Sequence, residues 1–246
     1  MLPIDLQILK YYFFEKPRFH KKIKPYFQWE SYQTLNKTLL HLEQDNWLKT
    51  THFSETPFTI FDLETTGLIP EIGHEIISIG AIQLNGLKYC RREKFHQFVR
   101  PVRPVSGRIK KLTGISQHEF ENASPFIDAF HNFLEFSKGT ILVAHPAKFD
   151  IRFLQTMLKR WKLPNYRPHV IDSQMMAKWL LPQVDCQLDP LIKHFDIEKL
   201  ERHHALNDAI MTAELFEYLL ANSIDHDITT LNELNDALFS MNQNKE

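Results

Sequence analysis

Asn85-Gly86 follows the β-branched run Glu75–Leu84 and precedes a second run, Lys88–Val99. A tight hairpin needs positive φ at its central positions, a conformation that Asn-Gly adopts at little steric cost. The dipeptide therefore predicts that the two runs pair antiparallel. An earlier apolar run, Phe58–Leu63, extends the pair to a three-stranded meander, with Gly73 marking the turn before the second strand.

Downstream the periodicity changes from strand to helix. Ser124-Pro125 reads as an N-cap followed by proline at the first helical position, with Phe126, Ala129, Phe130 and Phe133 on one face. Thr140–Ala144 reads as a fourth strand, and Asp150–Trp161 as a helix with Ile151, Leu154, Leu158 and Trp161 inward. His169–Ile171 reads as a short fifth strand, followed by helices over Ser173–Leu181, Leu188–Phe195 and Ala205–Ala221. A meander followed by alternating helices and strands implies an α/β fold, a mixed five-stranded sheet covered by helices.

Three units are expected: a helical extension over 1–52, a central domain over 53–222 and a polar tail over 223–246 with one more helix near Leu231–Phe239. In the extension Leu2, Leu6, Leu9 and Phe13 recur at helical spacing. After Ser31, which reads as an N-cap, Leu35, Leu39 and Leu42 do the same. The stretch between carries Lys10, Lys16, Arg18, Lys21, Lys22 and Lys24 against the single acid Glu15, interleaved with Phe13, Phe14, Phe19, Tyr26 and Phe27. Such a mix lets a surface hold phosphates while bases stack on rings. Packing of the rings onto the central domain is the competing reading.

With 43% hydrophobic and 24% charged residues over 246 positions, the chain is that of a globular protein able to bury a full core. Its longest uncharged stretch, Ile76–Leu87, has 12 residues, short of the ~20 needed to cross a bilayer. Met1-Leu2-Pro3-Ile4-Asp5 has an acid where a signal peptide carries positive charge, so a cytoplasmic location is expected. Cys90 and Cys186 lie too far apart for a metal pair by spacing and are read as reduced and structural. The net charge of -1 argues against coating nucleic acid through the overall field, and leaves a local site open.

The chemistry lies in the carboxylates. Asp62 and Glu64 are two apart on the first strand, so both point one way while Phe61 and Leu63 point the other. Asp150 stands at the start of a helix that follows a strand, where an acid also favours the helix dipole. Asp208 lies inside a largely apolar helix, with Ala205 and Thr212 on its face, and a buried helix acid needs a partner.

Together these acids resemble the signature of the DnaQ-like exonucleases, the DEDD superfamily, over roughly Pro57–Leu220. Asp62 and Glu64 match the first motif, Asp150, 88 residues on from Asp62, the second, and Asp208, a further 58 on, the third. His203, five residues before Asp208, matches the histidine branch, DEDDh, whereas the tyrosine branch would need Tyr where His204 stands. Leu112-Thr113-Gly114-Ile115 and the run Ala209–Phe216 also resemble the family. Pro146 departs from it, since relatives commonly carry Asn there, and proline has neither an N–H nor an amide side chain.

The resemblance implies a ribonuclease H-like fold and a 3′–5′ exonuclease acting on single-stranded or frayed 3′ ends, DNA favoured over RNA, releasing nucleoside monophosphates. It implies two Mg²⁺ or Mn²⁺ ions on Asp62, Glu64, Asp150 and Asp208, with His203 as general base. Hard divalent ions prefer oxygen ligands, and a pair of them can activate water and neutralise phosphate charge. Thr65, Thr66 and Leu68 would grip the terminal nucleotide, with His145 and Phe149 flanking its sugar or base. A DNA polymerase III epsilon-like role implies a polymerase subunit as partner. The alternatives are a free-standing RNA-trimming exoribonuclease resembling RNase T or oligoribonuclease, and a non-catalytic nucleic-acid-binding protein on the same fold.

Overall fold

The computed structural model describes residues 3–87 and 93–243. Its frame is a sheet of five strands, β1 Pro57–Thr65, β2 Ile76–Asn85, β3 Lys94–Phe98, β4 Ile141–Ala144 and β5 Val170–Asp172, in the order β3-β2-β1-β4-β5. The β1–β2 and β2–β3 pairs are antiparallel, and the β1–β4 and β4–β5 pairs are parallel. The α/β class, the mixed sheet and the meander are therefore as expected. Among the described residues no helix is long and apolar enough to cross a membrane.

The tight Asn-Gly turn is not formed. Gln83 N–H donates to Glu93 O at 3.0 Å and Ile82 pairs with Lys94, so the connection is longer than two residues. Gly86 instead leaves the strand with φ +55°, its N–H donating to Thr56 O at 2.9 Å. A Cβ there would lie 2.0 Å from Ser54 O, so close approach to a neighbouring loop explains this glycine. The start of the expected return strand at Lys88, Cys90 and Leu2 lie outside the described residues. Cys186 is buried, with its Sγ 3.3 Å from Val184 O.

Helices α1 (Ile4–Lys10), α2 (Lys16–Ile23) and α3 (Glu30–Leu40) precede the sheet, and α4 (Gly107–Thr113), α5 (Gln117–Asn122) and α6 (Phe126–Phe136) lie between β3 and β4. Helix α7 (Ala147–Arg160) lies between β4 and β5, and α8 (Ser173–Leu180), α9 (Leu188–His194), α10 (Ala205–Asp225) and α11 (Leu231–Gln243) follow. Helices α4 and α5 were not foreseen, although Ser116 and Glu119 form a capping box at the start of α5. Helix α6 begins one residue later than expected, with Pro125 rather than Ser124 at its N-cap. Helix α7 begins three residues earlier, directly after Pro146, because a missing N–H is no loss at a helix start.

The period-2 alternation of β1 sorts its side chains between two cores. Phe58 and Ile60 join one with Val143, Leu215 and Phe216, while Phe61 and Leu63 join the other with Phe130, Phe153 and Leu154. Full burial of one such side chain contributes about 1.5–3 kcal/mol, so the strand is held firmly from both faces. Asp62 and Glu64 fall on the side covered by α10. The start of α10 lies directly on β2 at Gly80, the partner of Asp62 across the sheet, where a Cβ would stand 2.2 Å from Ala205 C and Leu206 N. Only glycine lets the helix come this close.

The N-terminal helices pack on the core shared by α6 and α7, but not through the expected stripe. Leu6, Leu9 and Phe13 are exposed, whereas Tyr11, Phe19 and Ile23 are buried. A π-helical turn over Tyr11–Glu15 joins α1 to α2 and shifts the helix phase, so the inward face runs Tyr11, Glu15, Phe19, Ile23. Helix α3 starts at Glu30 with Trp29 rather than Ser31 at its N-cap, and Leu42 lies beyond its end, exposed.

Candidate active site

The carboxylates of Asp62, Glu64 and Asp208 each offer an oxygen within 4.8 Å of the other two. Strand alternation aims Asp62 and Glu64 at α10, and the contact at Gly80 brings the first turn of α10, with Asp208, over them. Asp150 comes from the first turn of α7 on the other side of β1 and is only 2% exposed. The backbone N–H groups of Asp150 and Leu63 favour its charged form, yet its Oδ1 is buried with no hydrogen-bond partner. A buried orphan oxygen costs about 1–3 kcal/mol unless something outside the chain satisfies it.

Electrostatics show the crowding. Burial, then Asp150, Asp208 and Glu64, push the Asp62 carboxyl well above the usual carboxylate range, against the pull of Arg202. Burial and Asp208 push Glu64 up to about 8, again opposed by Arg202. Burial holds Asp150 well above its ordinary value, with Asp172 and Glu64 adding to the rise. Burial also raises Asp208, although Arg202 and the His203 amide favour its charged form. A chain that gathers four acids in this way is suited to bind a multivalent cation, and an all-oxygen donor set suits a hard divalent ion.

Arg202 escaped the sequence analysis. Its Nη1 contacts Asp208 Oδ1, and its Nε lies 3.3 Å from Asp189 Oδ2. His203 N–H donates to Asp208 Oδ2 at 3.1 Å, which its left-handed backbone, φ +62°, permits. Its imidazole is exposed beside the acids. His204 faces elsewhere: it caps α10 through Nδ1, 3.4 Å from Asn207 N, and its ring lies 4.6 Å from that of His96. Burial, with His204 nearby, depresses His96 to about 4.

The residues expected to grip a nucleotide are not all placed alike. Leu68 is 73% exposed on the loop after β1. Thr65 Oγ1 donates to Gly67 O at 2.9 Å, and Thr66 Oγ1 accepts from Glu75 N at 2.9 Å, so both hydroxyls shape that loop. Arg103 ties the same loop down, donating to Gly73 O at 2.6 Å while pairing with Glu15 of the N-terminal helices at 2.7 Å. Arg152 of α7 pairs with Glu71 through two contacts of 2.6 and 2.7 Å. Phe149 is half-buried, its ring 4.9 Å from Phe153. The ring nitrogens of His145 lie 3.0 Å from Ser173 Oγ and from Cys186 O, and burial depresses it to about 4. His145 therefore serves the packing of β4 against α8, and its ring nitrogens are already engaged within the protein.

A family model described as exonuclease (RNase_T) matches residues 59–216. The DNA polymerase III PolC-type protein of Caldanaerobacter subterraneus subsp. tengcongensis is 36% identical over 75% of this chain and 13% of its own length. That of Thermotoga maritima is 32% identical over 86% of this chain and 15% of its own length. The chain thus spans about one seventh of these relatives. Among solved structures, the nuclease domain of 3'hExo, a DEDDh family member bound to rAMP, superposes with a TM-score of 0.63 at 21% identity, covering 70% of this chain and 95% of that one. Exonuclease X in complex with 5′-overhanging duplex DNA gives a TM-score of 0.57 at 23% identity, covering 74% of this chain and 99% of that one. Both likenesses support the ribonuclease H-like fold.

Proposed function

The chain belongs to the exonuclease family, and from that premise we propose that it removes nucleotides from the 3′ ends of single-stranded or frayed DNA as nucleoside monophosphates. The observation that carries the reading is the convergence of Asp62, Glu64 and Asp208 within 4.8 Å, with Asp150 and its orphan Oδ1 adjoining. A non-catalytic binding module would gain nothing from four crowded acids beside a phosphate. DNA is favoured because the polymerase relatives are named for DNA synthesis, and a polymerase subunit is the partner that a proofreading role would require.

In this reading Asp62, Glu64, Asp150 and Asp208 hold two Mg²⁺ or Mn²⁺ ions. When bound, such ions supply an activated water and charge neutralisation at the phosphate. The chain's own work is positional and acid–base. Strand β1 presents Asp62 and Glu64 side by side, and α10 and α7 add Asp208 and Asp150 from opposite sides. His203 stands exposed beside Asp208, where its imidazole would take the proton of the attacking water. Thr65 and Thr66 hold the loop that offers Leu68 to the terminal base, and Phe149 borders the same end of the sheet.

The test presents 3′- and 5′-labelled DNA and RNA oligonucleotides, single- and double-stranded, to the purified chain with Mg²⁺ or Mn²⁺. Stepwise loss from the 3′ end of single-stranded DNA is expected, with no reaction in EDTA. Faster trimming of RNA would assign the chain to exoribonuclease work, and an unchanged ladder under every condition would refute the enzyme reading.

A further inference from the structure

Within the acid cluster one cation already occupies ground that a metal needs. The guanidinium of Arg202 contacts Asp208 Oδ1. The same arginine favours the charged forms of Asp62 and Glu64. Its side chain is 24% exposed, and it keeps a second acid in reach: Asp189, half exposed at the rim, takes its Nε at 3.3 Å and is also paired with Lys199 at 2.8 Å. The arginine therefore bridges an inner carboxylate of the cluster and an outer one at the surface. Buried like charges are costly without a counter-charge, so a metal-free chain gains from the inner contact. A divalent ion supplies twice the charge to the same oxygens and makes that contact redundant.

We propose that Arg202 is the resident counter-cation of the metal-free cluster, displaced from Asp208 toward Asp189 when a divalent ion enters, and that it thereby sets the affinity of the site for metal. The proposal rests on the reading of Asp62, Glu64 and Asp208 as metal ligands. Arg202 acts on the reaction only through Asp208, as a positioning residue. The geometry gives it somewhere to go: Asp189 holds its Nε, and release of Nη1 from Asp208 requires only rotation about the outer torsions of a partly exposed side chain.

The experiment titrates the EDTA-treated full chain with Mn²⁺ alone, following the free ion by electron paramagnetic resonance, and compares wild type with Arg202→Gln and Arg202→Lys. A unit charge ~5 Å from a divalent ion alters its binding by about tenfold even at the dielectric constant of water. Arg202→Gln should therefore bind Mn²⁺ about tenfold more tightly or better, whereas Arg202→Lys, which keeps the charge, should stay closer to wild type. In EDTA, Arg202→Gln should melt below wild type, and saturating Mn²⁺ should close that gap. Weaker Mn²⁺ binding by Arg202→Gln would overturn the proposal and make Arg202 a support that orients Asp208. Equal affinity with equal melting in EDTA would also overturn it. Should Arg202→Gln fail to fold, Arg202→Met, equally uncharged, takes its place, and equal or weaker Mn²⁺ binding by it refutes the competition. Wild type that binds no Mn²⁺ would bring down the metal-site reading itself, and the role of Arg202 with it.

Discussion

Glu64 makes the metal-free protein lose stability as pH rises, and Glu64→Gln isolates the effect. Burial and Asp208 raise this carboxyl from 4.5 to about 8. Between those values the folded chain binds a proton that the unfolded chain has released, so stability is full below pH 4.5 and falls as pH rises toward 8. The interval multiplied by about 1.36 kcal/mol per pH unit gives about 5 kcal/mol. At roughly 2–4 °C per kcal/mol for a chain of this size, wild type should fall about 10–20 °C relative to the variant across the window. Asp62, Asp150 and Asp208 are raised as well and act in the same direction. His96 and His145, both depressed to about 4, impose the opposite slope between pH 4 and 6.5. They are common to both proteins and cancel in the comparison. Thermal unfolding followed by circular dichroism in EDTA from pH 4.5 to 8.5 measures the difference. Mn²⁺ should then raise the melting temperature of wild type more than that of the variant. Parallel melting curves in EDTA would refute the reasoning, because Glu64 would then ionise in the folded protein as it does in the unfolded one.

Asp150→Asn should abolish hydrolysis of a labelled oligonucleotide while metal-free melting holds or rises, since a crowded charge is removed but the side-chain volume is kept. His203→Ala should slow turnover about 10²–10⁴-fold, whereas His204→Ala should cost about 1 kcal/mol of capping and leave turnover near wild type; steady-state kinetics and melting of both variants separate the two roles. Gly80→Ala should lower the melting temperature and abolish activity together, because its Cβ would stand 2.2 Å from the backbone of α10 and push Asp208 off the cluster. In the basic segment Phe19 is buried and Lys22 Nζ donates to Val102 O at 2.9 Å, so any strand binding there falls to Lys16, Arg18, Lys21 and Lys24; changing these to Gln should flatten the salt dependence of single-strand binding by about 0.7 in log–log slope for each phosphate that is no longer neutralised.

What was legible in the sequence is what local period determines. Alternation along Phe58–Leu63 placed Asp62 and Glu64 on one face whatever the partner strands, because successive residues of a strand must point to opposite sides. The stripe Phe126, Ala129, Phe130, Phe133 likewise announced the buried face of α6, and the resemblance to the exonuclease motifs singled out His203 and the acids that the fold then gathered. Tertiary structure decided the rest. Leu6, Leu9 and Phe13 have helical spacing yet stay exposed, since a π-helical turn rotates Tyr11, Phe19 and Ile23 inward instead. Asn85-Gly86 has the composition of a tight turn, but Gly86 is required by the backbone of Ser54, an approach that no local pattern encodes. The isolated glycine at 80 was a readable sign of close approach, although only the packed fold shows that the helix over it is the one bearing Asp208. Arg202 and Asp189 were ordinary surface charges until the segment before α10 folded back on the cluster. Periodicity follows from covalent geometry within one segment, whereas helix phase, close approach and ion pairing follow from the energy of one segment against another, which only the assembled chain expresses.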